Sequence, residues 1–271
     1  MKTYPHIPFL PVLLAVLALA GCKSPKVPSI CEPLQHQPTP VRQTRDEPHV
    51  IRYPSPNYSE RKTSVSIIML HYTAGGTVGA LKTLTTPHGE QSVSAHYVVD
   101  PEGVVYQLVD ESKRAWHAGP GSWNGCDDVN SASIGIEIVN LGHDDKGNRI
   151  PYPEVQIKSV IRLCKAIQSR HDIQWVIGHS DVGLGRKDDP GEHFPWKRLA
   201  HEGIGFWTDE FSVPTRSSRE MLSAIGYDTS HLDRAIEAFQ RHFYPEALTS
   251  GGTRTYERMA AVLKVIEGLP R

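Results

Sequence analysis

The chain has 271 residues, 39% hydrophobic and 22% charged, which is enough apolar material for one domain of good size with a small second one and too much for a disordered chain. Lys and Arg number 29 against 30 Asp and Glu, a formal net charge of -1. The positive field that dominates nucleic-acid binding is missing, and no nucleic-acid partner is expected.

Residues 1–22 open with a weakly basic start (Lys2, His6) and the apolar run FLPVLLAVLALA, too short to span a bilayer but of signal-peptide length. The next residues, Leu19-Ala20-Gly21-Cys22, resemble a bacterial lipobox. That resemblance implies lipidation of the Cys22 thiol and anchorage to a membrane through an N-terminal lipid; a plain secretory signal is the alternative. Lys23 stands where an Asp would resemble an inner-membrane retention signal, and so favours an outer-membrane lipoprotein facing the periplasm. In that oxidising compartment Cys31, Cys126 and Cys164 form an odd set, so at most one internal disulfide is possible and none is assigned. Residues 23–62 are rich in proline and poor in apolar periodicity, and read as a tether that becomes ordered near Tyr53 to Tyr58.

Regular signals begin at residue 63. SVSIIMLHYT (64–73) is a continuous apolar strand of the kind buried on both faces, and AHYVVDPEGVVYQLV (95–109) reads as two strands about an Asp-Pro-Glu-Gly turn. SIGIEIVNLG (133–142) is another buried strand. YPEVQIKSVIRLCKAIQSRHD carries the helical period, with Pro153 tolerated near the first turn and Cys164 on the apolar face as a small buried hydrophobe. WVIGHSDV is a short strand entering the loop GHSDVGLGRKDDPG. Beyond residue 208 the composition shifts, and three amphipathic helices at about 218–225, 232–243 and 253–267 read as a separate small domain over 216–270. Strands mixed with helices over 63–208 indicate an α/β or α+β sheet with polar loops at its strand ends.

Those strand ends carry chemistry. One apolar strand ends in His71, another in His179, and Asp189 follows ten residues later. Two imidazoles and one carboxylate are the protein ligand count of a catalytic zinc site, although spacing does not exclude that these are unrelated members of 14 histidines. Glu137 lies inside Ile134 to Val139, where a carboxylate costs several kcal/mol unless it is paired, hydrogen-bonded or protonated. A water activated by a metal is a suitable partner and would make Glu137 a general base; a buried Arg or backbone amides are the other partners open to it. Lys187, two residues before Asp189, would supply a fixed positive charge for a developing oxyanion, with Asp188 as a solvated or loop-bracing neighbour.

IMLHYTAG, SAHYVVDPEGVVYQLV, RAWHAG, NSASIGIEIVN and GHSDVGLGRKDDPGEHFPW, over about 67–207, together resemble the zinc-dependent N-acetylmuramoyl-L-alanine amidases of the AmpD and AmiD kind. The resemblance implies an α/β fold with a central mixed β-sheet flanked by helices, and a Zn2+ cofactor on His71, His179 and Asp189. It assigns Glu137 and Lys187 as the catalytic pair. Peptidoglycan and muropeptides are the implied partners, and the implied reaction is hydrolysis of the amide between N-acetylmuramic acid and L-alanine. Phage amidases and peptidoglycan-recognition proteins commonly place Tyr where this chain has Ala95 and Cys as a third ligand, so the bacterial AmpD and AmiD branch is the nearer one. Trp116, His117 and Asn130 are candidate substrate contacts, and His96 reads as structural. The C-terminal helices resemble the three-helix peptidoglycan-binding module, with LTSGGTR in place of its usual acidic-glycine turn; a plain helical addition packed on the catalytic domain is the alternative. Two other functions remain open: a peptidoglycan-binding protein without catalysis, and a zinc peptidase acting on the stem peptide.

Overall fold

The computed structural model describes Cys31 and residues 48–269. The expected signal peptide, the expected lipobox with Cys22 and most of the expected tether lie outside the described residues. Eight strands are present among those described: β1 (Val50–Arg52), β2 (Tyr58–Glu60), β3 (Ile67–Tyr72), β4 (Tyr97–Val99), β5 (Val105–Gln107), β6 (Lys113–Ala115), β7 (Ser133–Ile138) and β8 (Trp175–Gly178). Six of them form one sheet in the order β1-β5-β4-β7-β3-β8, and β2 and β6 form an antiparallel pair. The large sheet is mixed because β4 and β5, joined through the Asp-Pro-Glu-Gly turn, run antiparallel while its other pairings are parallel.

The helices are α1 (Thr77–Thr85), α2 (Val129–Ala132), α3 (Glu154–Arg170), α4 (His179–Val182), α5 (Trp196–His201), α6 (Ser218–Ile225), α7 (Leu232–Phe243), α8 (Ala247–Ser250) and α9 (Thr255–Glu267). Side chains alternate across a strand, and here the two faces have different partners. Even-numbered Ile68, Leu70, Ile134, Ile136 and Val176 pack with Ile157, Val160, Leu163, Cys164 and Ile167 of α3. Odd-numbered Ile67, Met69, Trp175 and Ile177 pack with Trp123, Val182, Met221, Leu222, Phe239 and Met259. His71 and Glu137 have odd parity, so the strand pattern sends both to the second face.

Two expectations change. The tether does not run to residue 62, because β1 pairs with β5, β2 pairs with β6, and Arg61 is buried with its guanidinium on the carbonyls of Glu111, Ser131, Ser133 and Lys113. These are backbone-directed contacts, which leave no apolar period in the sequence. The three C-terminal helices occur where their periodicity puts them, but they do not close a core of their own. Met221, Leu222, Ile225, Phe239 and Met259 share one cluster with Ile67, Trp123, Trp175 and Ile177 of the sheet domain. In the same cluster Cys126 is joined to Cys31 by a disulfide, while Cys164 is free and buried, its thiol pushed up to about 12 by burial.

Glu111 locks the far end of α3 to the strand layer. Its carboxylate accepts hydrogen bonds from Arg170 Nη2 (2.7 Å), His171 Nε2 (2.7 Å) and the Tyr97 hydroxyl (2.7 Å). Burial works against its charge, but His171, Arg170 and Tyr97 outweigh it and hold the group well below the usual carboxylate range. A carboxyl whose folded pKa is depressed contributes stability above its unfolded value of about 4.3 and loses it as pH falls toward the folded value. Glu111→Gln is therefore expected to cost about 3 kcal/mol in urea unfolding at pH 7 and distinctly less at pH 3. An equal cost at both values would contradict the assignment.

Candidate metal centre and its surroundings

Strand register assembles the site. β3 lies between β7 and β8, with His71 opposite Glu137 on one side and Leu70 opposite Gly178 on the other. In-register residues of parallel strands point to the same face, which brings Glu137 beside His71. His179 follows Gly178 directly as the first residue of α4. The loop after α4 returns Asp189 to the same point, held by a hydrogen bond from Ser180 N to the Asp189 carbonyl (2.9 Å). His71 Nδ1, His179 Nδ1 and Asp189 Oδ2 then lie 3.1 to 3.2 Å from one another, and all three residues are buried.

The hydrogen-bond network assigns the protons. His179 Nε2 faces the Ala118 carbonyl at 2.9 Å, so it carries the hydrogen. Ser133 donates to the Val129 carbonyl (2.6 Å) and accepts from His117 Nε2 (3.3 Å), which leaves His117 Nδ1 to accept from His71 Nε2 (3.1 Å). Burial, above all, lowers the His71 pKa to about 4 and pushes His117 well below the usual histidine value, so both rings are neutral at pH 7. Burial works against the Asp189 charge, but the contacts with His179 and His71 hold its pKa low. Two imidazole lone pairs and a carboxylate oxygen thus converge with no proton between them in the neutral-ring state. Among the described residues this is the one His/Cys/Asp/Glu group with metal-ligand convergence, and its donor set suits a zinc ion with an open position.

Glu137 supplies a second test of that fit. Its Oε2 is buried and has no hydrogen-bond partner, which costs free energy that an isolated structural carboxylate would not retain. Burial, with Asp189 adding to it, raises its pKa well above the usual value, and Lys187 works in the opposite direction. No buried Arg or backbone amide takes the role of partner to that oxygen. Lys187 is exposed on the loop, and its charge reaches both His71 and Glu137. Asp188 accepts from the Tyr72 hydroxyl at 2.8 Å, a loop-bracing contact as expected.

The three candidate substrate contacts each have partners within the protein. His117 is buried behind His71 and orients it. Asn130 is also buried, and its Oδ1 accepts from the backbone amides of His117 and Ala118 (2.9 Å each), fixing the segment that serves both metal-facing histidines. Trp116 is half-buried with its indole N–H on Ser59 Oγ (3.1 Å). His96 is structural, accepting from Gly135 N at 3.0 Å. The AWHAG segment thus contacts both His71 and His179, through the His117 ring and the Ala118 carbonyl.

Gly135 permits this arrangement, since a Cβ there would meet the His117 ring at 2.6 Å. Gly135→Ala is expected to displace His117 from His71 and to weaken zinc binding about 10–100-fold, the usual cost of losing an outer partner of a metal-ligating His. Chelator competition measures it, and unchanged affinity would contradict the relay.

Comparison with known proteins agrees with this geometry. Residues 61–192 match the family model of N-acetylmuramoyl-L-alanine amidase. AmiD of Escherichia coli K12, an N-acetylmuramoyl-L-alanine amidase, is 34% identical over 265 residues, covering 86% of this chain and 89% of the relative. AmpD of Haemophilus influenzae, a 1,6-anhydro-N-acetylmuramyl-L-alanine amidase, is 29% identical over 170 residues, 56% of this chain and 86% of the relative. The solved E. coli AmiD, in complex with anhydro-N-acetylmuramic acid-L-Ala-D-gamma-Glu-L-Lys, superposes with a TM-score of 0.63 at 33% identity over 74% of this chain and 88% of that one. AmpDh3 of Pseudomonas aeruginosa, in complex with anhydromuramic pentapeptide, gives 0.62 at 34% identity over 74% and 90%. The mixed sheet flanked by helices is common to these structures.

Proposed function

Because the chain belongs to the N-acetylmuramoyl-L-alanine amidase family, we propose that it is a zinc-dependent hydrolase cleaving the amide between the lactyl group of N-acetylmuramic acid and L-alanine. The observation that carries this reading is the convergence of His71 Nδ1, His179 Nδ1 and Asp189 Oδ2 beside the unpartnered Glu137 Oε2. His71, His179 and Asp189 would hold a zinc ion, which would supply Lewis acidity toward the scissile carbonyl and toward water. Glu137, with its raised pKa, takes a proton from the attacking water and returns it to the leaving amine. Lys187 stabilises the negative charge that develops on the carbonyl oxygen. His117 and Asn130 hold the ligand histidines in one tautomer and one orientation.

The substrates are peptidoglycan and its anhydro-muramyl fragments, a reading supported by the anhydro-muramyl peptides bound in the related AmiD and AmpDh3 structures. The proposal includes lipidation at Cys22, where about 0.8 kcal/mol per buried methylene would anchor the chain without a membrane-crossing helix. No described helix is long and apolar enough to cross a membrane. The Cys31–Cys126 disulfide is in keeping with a periplasmic location. The C-terminal helices would add a surface facing the wall.

Mass spectrometry of sacculi and of anhydro-muramyl peptides digested with the protein tests the reaction. Stem peptides with a free L-alanine N-terminus are the expected product. Cleavage within the stem peptide would replace the amidase reading with a peptidase, and binding without release would replace it with a wall-binding protein.

A further inference from the structure

Asp181 is a carboxylate that the hydrolytic chemistry leaves unused. It lies two residues after His179 in α4 and is fully buried. A carboxyl group is stable there only if hydrogen bonds replace its water, and three do so. Gly178 N and His242 Nδ1 both donate to Oδ2 at 2.7 Å, and the Tyr227 hydroxyl donates to Oδ1 at 2.7 Å. Two of the three donors come from the C-terminal helical region. His242, at the end of α7, is held by stacking on Trp196 (3.8 Å between centroids), and Tyr227 packs edge-on against Trp123 (4.8 Å). Neither donor is free to follow α4 if it moves.

The other side of α4 is tied to the second ligand loop. Ser180 N donates to the Asp189 carbonyl, and Gly178 lies so close to Pro190 that a Cβ would meet the ring at 2.8 Å. A displacement of Asp181 is therefore transmitted to His179 and to Asp189. We propose that Asp181, Tyr227 and His242 are positioning residues for the metal centre, so that the C-terminal helices are a working part of the catalytic domain as well as any wall-facing surface they present. This rests on the reading of His71, His179 and Asp189 as zinc ligands.

The test uses the full chain with Tyr227→Phe and His242→Phe, which remove one donor each and keep the aromatic packing. His242→Asn, which retains a donor near the Nδ1 position, serves as the rescue. Met259→Ala, in the same shared core but supplying none of the three hydrogen bonds to Asp181, is the control for simple destabilisation. Zinc affinity by chelator competition, kcat, KM and Tm are measured for each. The double Phe variant is expected to bind zinc about tenfold more weakly and to lose kcat in proportion, with KM unchanged and with His242→Asn recovering most of the loss. Met259→Ala is expected to lower Tm and leave zinc affinity alone. Wild-type zinc affinity and kcat in the double variant would overturn the proposal, as would an equal loss of zinc affinity in Met259→Ala. A wild-type chain that takes up no zinc would instead overturn the ligand reading itself, and the positioning role with it.

Discussion

Glu137→Gln is expected to lower kcat by about 10²–10⁴-fold, the contribution typical of a positioned general base, while the protein retains its zinc and its fold. The amide is close in size to the carboxyl, so the strand and its neighbours β3 and β4 are undisturbed. What is lost is the proton acceptor. Stability should move the other way from activity. The folded pKa of Glu137 is raised by burial, so ionisation of this group opposes folding as pH climbs above the unfolded carboxyl value of about 4.3. A neutral amide removes that cost, and the metal-free variant should melt at or above the wild-type temperature at pH 7. Steady-state kinetics with calorimetry on the metal-free forms reads both effects. Retained kcat would take the general-base role from Glu137, and a lower Tm would show that the carboxylate has a structural partner.

Asp189→Ala is expected to abolish both zinc retention and turnover. It removes the one carboxylate of the ligand set and leaves two imidazoles facing each other across 3.1 Å. In the wild type, zinc at 1,000 times its Kd should stabilise the folded state by about 4 kcal/mol. The variant should gain almost nothing under the same conditions. Calorimetry with zinc and then with chelator measures the increment in each protein. A variant that keeps the wild-type increment would mean that zinc binds elsewhere.

Sequence pattern carried different parts of this account unequally. Continuous apolar runs placed β3, β7 and β8, and the helical period placed α3, α6, α7 and α9 to within two residues, because burial on known faces leaves a periodic mark. Polar residues at the ends of those runs, His71 and His179, and Glu137 inside one of them, were legible for the same reason: each interrupts a pattern that otherwise has none of its kind. The edge strands β1 and β2 were not legible, since their stability comes from backbone pairing and from Arg61 rather than from apolar side chains. α1 left too weak a pattern among its threonines and glycine. The internal partners of His117 and Asn130 were not legible, because what a buried polar group bonds to is fixed by tertiary approach. The link from Asp181 to Tyr227 and His242 spans 46 and 61 positions, beyond any local signal.

The proposed dependence of hydrolysis on a zinc ion held by His71, His179 and Asp189 can be measured on the full chain. The most direct measurement is reconstitution: the protein is stripped with chelator, titrated with zinc, and assayed at each step for bound metal and for release of L-alanine-started peptide. Activity rising in proportion to bound zinc and saturating at one equivalent is the predicted result. Full activity in protein holding less than about a tenth of an equivalent of any metal would contradict that dependence.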